Sequence, residues 1–78
     1  MQIDKEEVFL FTDGSALNNP GPGGWACLIK NKTSQVLLKG GEPFTTNNKM
    51  ELLAIIKGLE ELRKLYKKPN SIVIFTDP

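Results

Sequence analysis

The 78-residue chain contains no histidine. That excludes Ser-His-Asp and Cys-His nucleophilic sites, histidine acid–base chemistry and His-ligated zinc built from this chain. Its single cysteine, Cys27, excludes an internal disulfide framework and fits a reducing compartment. Net charge is nearly absent. Ten basic and nine acidic residues sum to +1, so bulk charge selects no partner and any nucleic-acid contact has to come from a local patch. No apolar run approaches the length of a bilayer span, so no membrane partner is expected. The N-terminus, Met1-Gln2-Ile3-Asp4-Lys5-Glu6-Glu7, is polar and acidic, unlike a secretory or organellar signal, and the expected location is the cytoplasm.

What is present is an ordinary globular composition, 40% hydrophobic and 24% charged, in a length that allows one small domain with a limited core. Val8-Phe9-Leu10-Phe11-Thr12 is an apolar, β-branched run that ends in Asp13-Gly14-Ser15, and predicts a buried strand over about 7–13. Asn18 to Gly24 is dense in turn residues and reads as a loop. A second strand is expected over about 24–30, a hairpin turn at Asn31-Lys32-Thr33-Ser34, and a third strand over about 35–44 with a bulge or weak stretch at Gly40-Gly41. A helix is expected over about 48–66, with Leu52, Ile55, Ile56, Leu59, Leu62 and Tyr66 as its apolar stripe. Ala54 and Gly58, four apart, would permit close packing. Lys67-Lys68 suit the helix C-terminus and Pro69-Asn70 stop it. A last buried strand runs over about 71–77.

Three strands, a helix and a strand predict an α/β fold. It is a mixed sheet with a three-stranded antiparallel meander, one crossover helix, and a fourth strand parallel to the first. Phe11-Thr12-Asp13 and Phe75-Thr76-Asp77 are the same tripeptide, each closing an apolar strand. If those strands are parallel neighbours about 4.8 Å apart, their carboxylates share one edge of the sheet, where open α/β sheets commonly bind ligands. At 4 Å and an effective dielectric of about 20, two such anions repel by roughly 4 kcal/mol, which a divalent cation or a shared proton relieves. Glu51 adds a third carboxylate, read here as lying in the first turn of the helix. Oxygen donors alone favour Mg²⁺ or Mn²⁺, ions suited to phosphoryl transfer. Each residue also has a structural reading. An aspartate before glycine is commonly a turn residue, Asn48-Lys49-Met50-Glu51 resembles a capping box, Asn47 and Asn48 are candidate caps, and Cys27 and Trp25 suit a core.

Four stretches occur in the order and approximate spacing of type 1 ribonuclease H. They are Phe11-Thr12-Asp13-Gly14-Ser15, Asn19-Pro20-Gly21-Pro22-Gly23-Gly24-Trp25, Thr45-Thr46-Asn47-Asn48-Lys49-Met50-Glu51-Leu52 and Phe75-Thr76-Asp77. The chain resembles the N-terminal half of that family's domain. The resemblance implies divalent-metal-dependent endonucleolytic hydrolysis of the RNA strand of RNA–DNA hybrids, with Mg²⁺ or Mn²⁺ as cofactor. It maps catalytic, metal-binding carboxylates onto Asp13, Glu51 and Asp77, with the backbone carbonyl of Gly14 as a further metal contact. It maps nucleic-acid-binding residues onto Asn19, Thr46, Asn47 and Asn48. Pro78 stands where the family usually has serine, and the family's fourth carboxylate lies beyond Asp77. The expectation is a chain with little or no activity alone, exposing a strand edge that a second copy or a complementing chain would cover. Two other readings stay open from the residues alone. One is a half-domain that binds hybrid or metal without cleaving; the other is an inert fragment that acts only as an interaction surface.

Overall fold

The computed structural model describes residues 7–66 and 71–76. β1 (Glu7–Ala16), β2 (Gly21–Lys30) and β3 (Gln35–Thr45) form an antiparallel meander, α1 (Asn47–Leu65) crosses over, and β4 (Ser71–Thr76) returns parallel to β1. The sheet order is β3-β2-β1-β4, the predicted architecture. The continuous apolar run of β1 is explained by its place, with a paired strand on each side. No helix among the described residues is long and apolar enough to cross a membrane.

Alternation along the strands sends Val8, Leu10, Cys27 and Ile29 to one face, all buried, with Leu62 and Tyr66 of the helical segment packed against them. Trp25, Val36 and Leu38 close the margin of this core. At the far end of the meander, Asn31 organises the predicted turn. Its Oδ1 accepts from the backbone N–H of Thr33 and of Ser34, both at 2.9 Å, and its amide donates to the Tyr66 hydroxyl. The turn is thereby tied to the end of the helix. Tyr66 is the C-cap, extended, with its N–H bonded to the Leu62 carbonyl. The terminating roles expected of Lys67, Lys68, Pro69 and Asn70 fall outside the described residues.

The helix docks on a different line from the predicted stripe. Its buried residues are Met50, Ala54, Gly58 and Leu62. Of the expected stripe, Leu62 and Tyr66 are buried and Ile55 is half-buried, while Leu52, Ile56 and Leu59 are 59%, 42% and 36% exposed. The reason is the closeness of the contact. A Cβ on Gly58 would stand 2.5 Å from Cys27 Sγ and 3.1 Å from a Leu10 methyl, so a side chain is not accommodated at the point where helix and sheet come closest. The predicted close packing through Ala54 and Gly58 is therefore the docking seam, and the larger side chains flank it.

The bulge is also displaced. β3 runs regularly through Gly40 and Gly41, and the register slips further along, where Gly21 pairs with Thr45 and Gly23 with Glu42, so the extra residue lies in β3 between Glu42 and Thr45. Gly40 instead leaves room for the Trp25 indole, which lies across it.

Candidate active site

The parallel register sets Phe11 beside Phe75 and Thr12 beside Thr76, so two of the three echoed residues are level across β1 and β4. The Phe11 and Phe75 rings stack with centroids 4.9 Å apart. Asp13 follows on β1 and is exposed. Val8, Leu10 and Thr12 are buried beneath the helix, so alternation places Asp13 on the opposite, open face of the sheet. Asp77, its predicted counterpart, lies outside the described residues.

Gly14 brings the helix to this point. A Cβ there would stand 2.5 Å from the Met50 carbonyl oxygen and 2.7 Å from the Glu51 nitrogen. Backbone meets backbone, and any side chain at position 14 would push the helix away. The contact puts Glu51 next to the residue that follows Asp13. Two expectations about Glu51 need correction. The helix begins at Asn47, so Glu51 lies beyond the first turn, which holds no acidic residue. The N-cap is Thr46, not Asn48: Thr46 Oγ1 accepts from Lys49 N–H at 3.2 Å. Lys49 occupies the position where a capping box needs Glu or Gln, so the reciprocal bond has no acceptor. Glu51 carries no capping duty, and it is exposed.

The predicted nucleic-acid contacts divide. Asn19 and Asn47 interlock. Asn47 N–H donates to Asn19 Oδ1 at 2.8 Å, and Ala16 N–H donates to Asn47 Oδ1 at 2.7 Å. The β1–β2 loop is thus fastened to the first turn of α1, beside the Thr46 cap. Asn18 holds a left-handed φ of 58°, which asparagine tolerates better than most residues. Both interlocked side chains spend a carbonyl oxygen inward, and their amide groups remain as donors. Asn48 takes no part in the interlock and is exposed.

The described part of the site offers hard donors: the Asp13 and Glu51 carboxylates and the backbone between them. Among the described residues no set of three or more His, Cys, Asp or Glu gathers to hold a metal. Cys27 is buried against the helix, and burial pushes its thiol pKa up, which keeps it a neutral core group. The donor chemistry fits a hard divalent cation and gives no reason to expect a soft one.

Residues 5–78 match the family profile for RNase H. The chain belongs to the ribonuclease H family. It is 51% identical over 73 residues to a ribonuclease H of Thermus thermophilus, covering 94% of this chain and 42% of that protein. It is 47% identical over 76 residues to a ribonuclease H of Rhodopseudomonas palustris, covering 97% and 46%. Among solved structures, the N-terminal RNase H domain of a Mycobacterium tuberculosis protein superimposes with a TM-score of 0.83 at 25% identity, over 95% of this chain and 54% of that one. LC11-RNase H1 in complex with RNA/DNA hybrid gives 0.68 at 33% identity, over 74% and 44%. The chain therefore spans about half the length of the ribonucleases H it matches.

Sequence reasoning missed the surroundings of Asp13. On the open face, cross-strand pairing sets Asp13 level with Ala26 and Ala26 level with Lys39; the next row on that face is Ser15, Gly24 and Gly41. Asp13, Ser15 and Lys39 border one concavity of about 660 Å³, floored by Gly24 and Ala26. Only the register across three strands reveals this grouping. The one available signal was alternation within β1, which places Ser15 on the same face as Asp13.

Proposed function

We propose that this chain carries the hybrid-gripping half of a ribonuclease H active site, which hydrolyses the RNA strand of RNA–DNA hybrids when the domain is completed. Family membership supports the reaction class. The observation that carries the residue assignment is the contact of Gly14 with Met50 and Glu51, which sets Glu51 beside the residue that follows Asp13, while the Asn19–Asn47 bond and the Thr46 cap stand at the start of the same helix.

In this reading Asp13, Glu51 and Asp77, with the Gly14 carbonyl, hold Mg²⁺ or Mn²⁺. When bound, the cation supplies an activated water and charge neutralisation at the leaving oxygen. The chain's own residues bind and orient. The amides of Asn19, Asn47 and Asn48 and the Thr46 hydroxyl donate to sugar and phosphate oxygens, including the 2′-hydroxyl that distinguishes RNA from DNA. The Asn19–Asn47 interlock and the Thr46 capping bond fix three of these donors before the hybrid arrives, which lowers the entropic cost of binding; Asn48 is not held in this way. A second reading is a half-domain that binds hybrid without cleaving; what favours it is the small carboxylate set, since among the described residues no three acidic side chains gather.

The test is cleavage of an end-labelled RNA–DNA hybrid with Mg²⁺ or chelator, with the chain alone and with a polypeptide carrying the C-terminal half of a relative. Metal-dependent cleavage is expected in the complemented sample, lowered at least roughly a hundredfold by Asp13→Asn, with little from the chain as a monomer. Turnover by a demonstrable monomer would overturn the need for completion. A folded, complemented complex that binds hybrid and never cleaves would establish the second reading.

A further inference from the structure

The concavity beside Asp13 is not accounted for by the carboxylates or the asparagine interlock. Its geometry follows from pairing. Asp13, Ala26 and Lys39 form a row across β1, β2 and β3, so the Asp13 and Lys39 backbones stand about 10 Å apart, two strand spacings. The residue between them is alanine, and the adjacent row is Ser15, Gly24 and Gly41. Small residues leave the trough open, with an anionic end at Asp13, a hydroxyl at Ser15 and a cationic end at Lys39. Lys39 is exposed, and the one ion pair among the described residues is Lys64 with Glu61, so Lys39 is uncommitted there.

We infer that Lys39 is a backbone-phosphate contact, and that the Ala26–Gly24 trough is the track along which a nucleic-acid strand passes from Asp13 towards β3. The inference rests on the ribonuclease H reading of Asp13 and extends it to a residue and a sheet face which that reading does not use. An ammonium group beyond an open trough floored by alanine and glycine, which offer no side-chain donor or acceptor to a base edge, suits a phosphodiester, which is recognised by charge and is independent of sequence. A small-molecule anion would need an enclosed site with several converging donors, which this open trough lacks.

The experiment measures binding of the full chain to a fluorescent RNA–DNA hybrid over a series of KCl concentrations. Asp13→Asn is the background, so turnover does not intrude. Lys39→Gln, Lys39→Arg and, as a control on the helix, Lys57→Gln are compared in that background. Losing one phosphate contact lowers the slope of log affinity against log salt by about one, and weakens binding at low salt by roughly three- to tenfold. That change in Lys39→Gln, its restoration by arginine and its absence in Lys57→Gln would support the inference. A merely structural role would shift the melting temperature and leave the salt slope alone. Equal slopes for Lys39→Gln and its parent, with the parent binding hybrid, would overturn the inference and spare the functional reading. A parent that fails to bind hybrid both alone and when complemented would overturn both. An amide NMR titration locates the track independently. Shifts at Ala26, Gly24 and Gly40 are expected, and shifts confined to the Asn19–Asn47 region would count against it.

Discussion

Gly58 shows how a single residue can set the distance between layers. In a helix interior glycine is worse than alanine by about 1 kcal/mol, so an unconstrained site would gain from Gly58→Ala. Here the added methyl would meet Cys27 Sγ and two Leu10 methyls, at 2.5, 3.1 and 3.2 Å. All belong to fully buried residues. Overpacking of this kind costs about 1–3 kcal/mol, which matches or exceeds the propensity gain. Gly58→Ala is expected to lower stability by about 1 kcal/mol in urea unfolding. The same substitution in a Cys27→Ala background should be neutral or stabilising, because the nearest obstruction is gone. A coupling energy near zero between the two sites would refute this account. The docking face is misread from sequence for the same reason. Hydrophobic periodicity weights large residues, and the middle of the contact is made by two small ones, Ala54 and Gly58.

At the scale of the element, the start of α1 combines fold and site. Thr46 satisfies Lys49 N–H, and Asn19 satisfies Asn47 N–H, so two of the four unpaired donors of a helix start are met by side chains proposed to bind nucleic acid. Thr46→Ala is expected to cost about 1 kcal/mol through the lost cap. Thr46→Ser keeps the hydroxyl and should leave the thermal midpoint nearly unchanged, with hybrid affinity also retained. If Thr46→Ala melts like the parent, the cap is not formed in solution. The Thr-Thr-Asn-Asn segment was legible in the sequence as a helix start. Which residue caps it was not, because Thr46 and Asn48 are both good caps and the choice depends on Asn19, distant in the chain. The strand order and the level pairing of Phe11-Thr12 with Phe75-Thr76 were readable from the echoed tripeptide. The Asp13–Ala26–Lys39 row was not, since it depends on two hairpin registers together.

The whole molecule is long and thin. Its extents are 47 × 21 × 16 Å and its radius of gyration is 13.5 Å, against about 11.5 Å for a compact domain of this length. The helix packs over β1 and β2 and hardly touches β4, so Ile72 and Ile74 on the helix-side face of β4 are 42% and 41% exposed. On the opposite face Phe11 and Phe75 stack with their rings partly in water, and Leu37 is 61% exposed. The outer side of the helix adds Leu52 and Ile56. A sheet with apolar side chains uncovered on both faces and a parallel strand at its edge favours association over isolation. The average mass in sedimentation equilibrium is therefore expected to rise with concentration. Covering a fully exposed large apolar side chain is worth about 1.5–3 kcal/mol; Phe75 and Ile56 are 47% and 42% exposed, so covering what remains of either is worth about 1 kcal/mol, roughly fivefold in an association constant. Phe75→Lys on the open face and Ile56→Lys on the helix should each weaken association by about that factor. If only one of them does, that face is the contact. If the parent chain stays monomeric and folded across the whole range, the exposed faces are tolerated by the monomer, and completion by a second chain would have to rest on recognition other than apolar burial.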